Sequence, residues 1–160
     1  MKHRIRGACL VVRDEKLLLV RHLEGPTLAD YWIPPGGGLE IDDASIFACA
    51  ERETKEETGL EVSGRSILYL QEFVDHAFGY RNMEFFILAD ATGGEVQAVE
   101  VRTSSTGVPI VSEVGWFSRE SMNAMTVFPD CLKDSFWDER KVAPFTTRHL
   151  GTKVRQKAAN

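Results

Sequence analysis

The sequence predicts a single α+β domain, and three observations carry that reading. At 160 residues the chain has the length of one domain rather than two. Short apolar runs rich in Val, Ile, Leu and Phe recur between Gly- and Pro-containing breaks, which is the signature of strands. One central segment, 43–58, lacks Gly and Pro and is dense in Glu, Ala, Arg and Lys, which is the signature of a helix.

Taken in order, Ala8–Val12 and Leu17–Val20 flank the polar stretch Arg13–Lys16 and read as a hairpin. Residues 23–38 carry Gly25-Pro26, Pro34-Pro35 and Gly36-Gly37-Gly38, so a loop is expected there with one extended piece near Trp32-Ile33. The helix follows, with Asp42 or Asp43 as its cap and Gly59 as its stop. Ile67–Phe73 and Met83–Ala89 have strand composition, and Thr92-Gly93-Gly94 leads to another extended piece near Glu95–Val101. Val108–Phe117 reads as a last strand, Ser118–Met125 as a short helix capped by Ser118, and Cys131–Val142 as another. The domain is expected to occupy 1–145, with 146–160 as a polar tail that frays.

Composition excludes several classes. Hydrophobic residues at 43% and charged residues at 27% are ordinary for a globular chain, which removes disordered and fibrous alternatives. Nineteen basic against 24 acidic residues give a charge of −5, the wrong sign for wrapping a nucleic-acid polymer. No apolar run reaches the length of a membrane span, and the charges at Arg13-Asp14-Glu15-Lys16 cut the first apolar stretch too short for a secretory signal. Cys9, Cys49 and Cys131 are odd in number and form no CxxC, so a reducing, cytoplasmic setting is expected.

The chemistry is carried by Arg52-Glu53-Thr54-Lys55-Glu56-Glu57-Thr58-Gly59. On a helix the spacings of three and four bring Glu53, Glu56 and Glu57 onto one face, bordering the apolar sector of Ile46, Phe47, Ala50 and Thr54. Carboxylates so close repel one another unless a cation sits among them, and oxygen ligands suit a hard ion such as magnesium or manganese. Arg52 can hold a glutamate through a bidentate bond or reach a phosphate itself. Taken alone, a glutamate-rich helix face is usually a solvated surface, and a triple glycine is usually a flexible turn. Gly36-Gly37-Gly38 also lacks the Lys-Ser/Thr pair of a P-loop.

In conjunction these residues resemble the Nudix hydrolases, whose signature is G-x5-E-x7-R-E-U-x-E-E-x-G-U with U a bulky aliphatic residue. Gly38, Arg52, Glu53, Glu56, Glu57, Gly59 and Leu60 match it. Trp32-Ile33-Pro34-Pro35-Gly36-Gly37-Gly38-Leu39-Glu40 and Glu113-Val114-Gly115-Trp116-Phe117 resemble the family's flanks, so that the likeness spans about 5–125. Two positions depart. The first signature Glu falls on Ala44 counted from Gly38, or on Asp43 with one inserted residue counted from Gly37, the alignment preferred here; Thr54 stands at U.

The resemblance implies an α/β/α sandwich around a mixed β-sheet, with the signature as a loop-helix-loop. It implies hydrolysis of a nucleoside diphosphate linked to another moiety X, with Mg2+, or Mn2+, as cofactor. Glu53, Glu56 and Glu57 would be metal ligands, Gly37 or Gly38 would add a carbonyl, and Arg52 would orient Glu53. Glu113 is the candidate base outside the signature. Arg21 and Arg81 are candidates to meet phosphate, and Trp32 and Tyr80, with Phe78 and Phe136, to stack on a base. The expected partner is a small nucleoside diphosphate derivative, with no nucleic-acid polymer and no membrane; a homodimer is compatible with the sequence. The competing readings are a nucleotide-sensing or partner-binding module on the same fold, and an isomerase of allylic diphosphates, which would need cysteine and glutamate motifs not seen here.

Overall fold

The computed structural model describes residues 1–22, 30–97, 111–143 and 146–156, with Ser112 by its backbone alone. Among the described residues the strands are β1 (Lys2–Arg13), β2 (Lys16–His22), β3 (Tyr31–Ile33), β4 (Gly36–Gly38), β5 (Leu60–Asp75), β6 (Tyr80–Gly94), β7 (Val111–Ser118) and β8 (Arg148–Arg155). The helices are α1 (Ile46–Thr58) and α2 (Phe136–Glu139), with 3-10 turns at Ser121–Ala124 and Asp130–Lys133 ahead of α2.

The strands form one mixed sheet in the order β3-β2-β1-β6-β5-β8, with β4 also on β1 and β7 also on β2. β1 runs parallel to β6 and β5 parallel to β8, whereas the other pairs are antiparallel. The expected hairpin is present, with Val12 opposite Leu17. Its two-residue turn places Asp14 and Glu15 at φ 51° and 54°, which matches the twist of the flanking strands.

One face of the sheet packs on α1 through Cys9, Val11, Leu18, Ala50, Leu60 and Ile87. The other packs on the 3-10 turns and α2 through Ala8, Leu10, Tyr69, Phe86, Met122, Leu132, Phe136 and Trp137. Helical cover on both faces of a mixed sheet is the expected architecture. Phe136, expected among the base-stacking aromatics, is fully buried in this second core.

Differences from the sequence reading are local. The glycine run is a short strand on β1, with Gly7 opposite Gly37. The cap of α1 is Ser45, whose Oγ accepts from the Ala48 N–H at 3.1 Å, while Gly59 closes the helix at φ 77° as expected. Of the extended piece near Glu95–Val101, residues 95–97 lie outside any strand and 98–101 lie outside the described residues, as do 108–110 of the last strand. The segment from 146, expected to be a polar tail, instead contributes β8, whose pairing to β5 runs from Tyr69–Arg148 to Asp75–Arg155. Arg155 is ion-paired there to Asp75, which is fully buried.

Candidate active site

Two glycines explain how α1 approaches the sheet. A Cβ on Gly37 would lie 2.3 Å from Glu53 Cδ, and one on Gly36 would lie 2.3 Å from the Gly7 carbonyl oxygen. With no side chains there, α1 turns Glu53 and Glu57 into the protein, where they are 5% and 4% exposed. Glu57 Oε2 accepts from the Gly36 N–H at 2.9 Å. Thr54, the departure from the signature, is buried with its hydroxyl donating to the Ala50 carbonyl at 2.7 Å, so its polar atom is satisfied within the helix.

Arg52 organises the outer side. Its Nε donates to Asp43 Oδ1 and its Nη2 to Asp43 Oδ2, both at 2.9 Å. Nη1 donates to Glu53 Oε1 at 2.8 Å and lies 3.4 Å from Glu56, and Nη2 reaches the Gly38 carbonyl at 3.2 Å. Asp43, which stands at the first signature Glu in the alignment with one inserted residue, is thus bonded twice by Arg52. The Arg52 guanidinium, helped by the Glu40 N–H, holds the Asp43 carboxyl well below the usual range. Asp43 and then Glu53 in turn raise Arg52.

Glu57 behaves oppositely. Burial pushes its carboxyl up to about 7, against the charge of Arg6 and the Gly36 N–H, and the neighbouring Glu53 adds to the rise. Arg6, on β1, donates to the Gly36 carbonyl at 3.0 Å, so its charge sits just beyond the glycine strand. Among the described residues no group of three or more His, Cys, Asp or Glu is gathered into a finished metal cage. The set is a buried pair, Glu53 and Glu57, with Glu56 more open at 39% side-chain exposure. The Gly37 carbonyl accepts from Cys49 Sγ at 3.5 Å. The Glu53 carboxylate lies directly against the Gly37 backbone, and carboxylate and carbonyl oxygens are the donors that a hard divalent cation takes.

The other sequence candidates fall into two groups. Arg21, Trp32 and Glu113 are neighbours across β3-β2-β7, with Arg21 opposite both of the others. Arg21 Nη1 donates to Glu113 at 2.8 Å and Nη2 pairs with Asp30. Trp32 packs edge-on against Phe117 at 4.6 Å between ring centres. Tyr80 and Arg81 begin β6, opposite Lys2 and His3. Arg81 pairs with Glu72 at 3.3 Å, and Tyr80 stacks near Phe78 under the Arg4 guanidinium. Sequence reasoning missed Arg4, which lies over Tyr80, and Arg6, which bonds the Gly36 carbonyl of the glycine strand; their alternation at the start of β1 was the available signal.

The NUDIX domain model matches residues 1–134. The chain belongs to the NUDIX family. This NUDIX chain is 26% identical over 117 residues to the 8-oxo-dGDP phosphatase NUDT18 of Danio rerio, a match covering 73% of the chain. It spans only about a third, 32%, of that relative's length. Among solved structures it resembles an ADP-ribose pyrophosphatase from Streptococcus suis at a TM-score of 0.65 and 19% identity, covering 91% of this chain and 98% of that one. It also resembles a MutT NUDIX hydrolase from Burkholderia pseudomallei, at 0.67 and 23%, covering 83% and 96%, and the ORF135 protein of E. coli, at 0.66 and 24%, covering 90% and 95%. At these identities the structural likeness concerns the fold. No helix among the described residues is long and apolar enough to cross a membrane.

Proposed function

We propose that this NUDIX domain hydrolyses a small nucleoside diphosphate derivative, in the cytoplasm, with a divalent metal, magnesium or manganese, as cofactor. The observation that carries the reading is the buried Glu53–Glu57 pair pressed against Gly36 and Gly37 and tethered by Arg52. Arg52 compensates Glu53, but Glu57 is buried beside it with only the Gly36 N–H and the charge of Arg6 in its favour, a cost that a bound cation would offset. The relatives named for pyrophosphatase or phosphatase activity support the same reaction class.

Glu53 and Glu57 would hold the ion, with Glu56 and a carbonyl of Gly37 or Gly38 as further ligands. When bound, such an ion supplies neutralisation of the diphosphate charge and acidifies the attacking water. Arg52 keeps Glu53 aimed through their 2.8 Å bond and anchors the preceding loop through Asp43. The Gly36 N–H fixes which oxygen of Glu57 faces the site. Arg6 lies where substrate negative charge would arrive from the β1 side. Glu56, more open to water, is the candidate to take the proton of the attacking water, with Glu113, which is tied to Arg21, as the candidate outside the helix.

The test is a panel of nucleoside triphosphates, ADP-sugars, dinucleotides and diphosphate lipids, assayed with magnesium and with manganese by coupled phosphate release. Metal-dependent turnover of at least one, lost in Glu53→Gln and Glu57→Gln proteins that still fold, is the expected result. Silence across the panel with both metals would overturn the reading in favour of a binding module.

A further inference from the structure

The face of the sheet turned away from α1 carries a polar patch that shares Arg6 with the glutamate site and is otherwise separate from it. Arg6 stands opposite Glu84 on β6, and Glu84 opposite Gln71 on β5; one step along, Arg4 faces Asn82 and Asn82 faces Phe73. Residues two apart on a strand share a face, so Arg4, Arg6, Gln71, Asn82 and Glu84 form one surface across three central strands. The step in the other direction, Ala8–Phe86–Tyr69, is already core beneath the 3-10 turns and α2. The patch therefore begins where the apolar roof ends. At that margin Gln71 lines a cavity of about 350 Å³ together with Pro129, Asp130 and Cys131.

Polar side chains this deep ordinarily find partners. Gln71 is 4% and Asn82 7% exposed, yet Gln71 Oε1 and Asn82 Oδ1 are buried with no hydrogen-bond partner among the described residues, and so is His22 Nε2. Asn82 bonds Glu84 through its side chain, and the charge of Arg6 acts on Glu84, on Glu57 and on His22, which places Arg6 between the patch and the glutamate site. Unmet buried groups cost stability in the empty protein, and a ligand that satisfies them gains selectivity against analogues that do not.

The chemistry of the patch narrows the ligand. Gln71 can turn its amide over to present either its oxygen or its NH2, whereas the bond from the Asn82 NH2 to Glu84 leaves the Asn82 oxygen as an acceptor. Glu84 is different: burial raises its carboxyl while the Arg6 charge and the Asn82 side chain favour its ionised form, and in that form it only accepts, best from two adjacent N–H groups. Among nucleobase edges only guanine sets a ring N–H beside an exocyclic amine. Adenine and cytosine place a lone pair next to their amine, which a carboxylate repels. The two ends also meet at one residue: Arg6 bonds the Gly36 carbonyl and its charge acts on both Glu57 and Glu84, so the glutamate site and the patch flank the same guanidinium.

We propose that Glu84, flanked by Asn82 and Gln71, reads the base of the substrate, and that this base presents a guanine-type edge with adjacent ring N–H and amino donors. The inference rests on the diphosphate hydrolase reading for its phosphate end, and two assays keep the failures apart. The first compares kcat/KM for guanosine, inosine and adenosine diphosphates and triphosphates with magnesium. The second titrates GMP, IMP and AMP calorimetrically in EDTA, where neither metal nor a phosphoanhydride is needed. Guanine is expected to lead in both, with hypoxanthine, which lacks the amine, weaker. Glu84→Gln should shrink the guanine-over-adenine ratio about 10- to 100-fold, through KM more than kcat. Hydrolysis with no guanine preference in the wild type would overturn the base assignment and leave the hydrolase reading standing. Guanine-selective GMP binding without any hydrolysis would do the reverse. An unchanged ratio in a folded Glu84→Gln protein also overturns it; if that variant does not fold, Glu84→Asp and the wild-type selectivity decide.

Discussion

Arg52 grips Asp43 with two parallel hydrogen bonds of 2.9 Å, joining the loop before α1 to the helix that carries the glutamates. The same guanidinium reaches Glu53 at 2.8 Å. Loop position and carboxylate aim are therefore one mechanical unit. Arg52→Lys keeps the charge but loses the fork, and is expected to lower kcat more than tenfold with circular dichroism unchanged. Because the pairing depresses the Asp43 carboxyl, its stabilisation is complete above pH about 4 and is lost as the pH falls further. The melting temperatures of wild type and Asp43→Asn should accordingly converge in acid.

Glu57 gives the opposite sign. Its carboxyl is raised by burial to about 7, so between its unfolded value near 4.5 and 7 the folded state holds a proton that the unfolded state has released. Metal-free protein should lose up to about 3 kcal/mol as the pH rises through that window. Glu57→Gln should remove the loss, melting higher than wild type at pH 8 and equal to it at pH 4, while losing metal-dependent turnover. Denaturant titrations at both pH values in EDTA check this.

Gly36 and Gly37 are adjacent, and their substitutions should fail differently. Alanine at 37 meets a side-chain carboxylate, Glu53, which can rotate away, whereas alanine at 36 meets the Gly7 carbonyl and Ala8 Cα, which cannot. Gly37→Ala is expected to fold and lose activity. Gly36→Ala is expected to lose stability by about 1–3 kcal/mol or more. Melting curves beside turnover assays separate the two.

Base duty can be divided by two conservative changes. Glu56 sits 3.4 Å from Arg52 on the open side of the helix, while Glu113 is held by Arg21 on β7. Glu56→Gln is expected to lower kcat about 100-fold or more, and Glu113→Gln to cost less than that. The reverse order in steady-state kinetics would move the base to β7.

Much of this was legible from sequence where the information is local. The helix, its Gly59 stop and the convergence of Glu53 and Glu57 follow from spacing along one element. The cap was misread because Asp43, a good capping residue, is consumed by Arg52, and Ser45 takes the role. The β8 strand was hard to read because the alternation of Leu150, Thr152 and Val154 is short and set among charged residues and a glycine: besides Leu150 on the core, it is held by backbone pairing and the Arg155–Asp75 ion pair. The patch at Arg6, Gln71, Asn82 and Glu84 could not be read at all. It depends on the parallel register of β1 with β6, which brings together residues almost eighty positions apart.

That register and the docking of β8 also bear on how the chain acquires its fold. β1 cannot pair with β6 until Tyr80 and beyond have emerged from the ribosome, and β5 waits for Arg148–Arg155 to complete its second edge. Sheets assembled from such distant pieces form slowly and leave strand edges open in the meantime. Until β8 is added, the nascent domain leaves the outer edge of β5 open, a template for pairing with other chains.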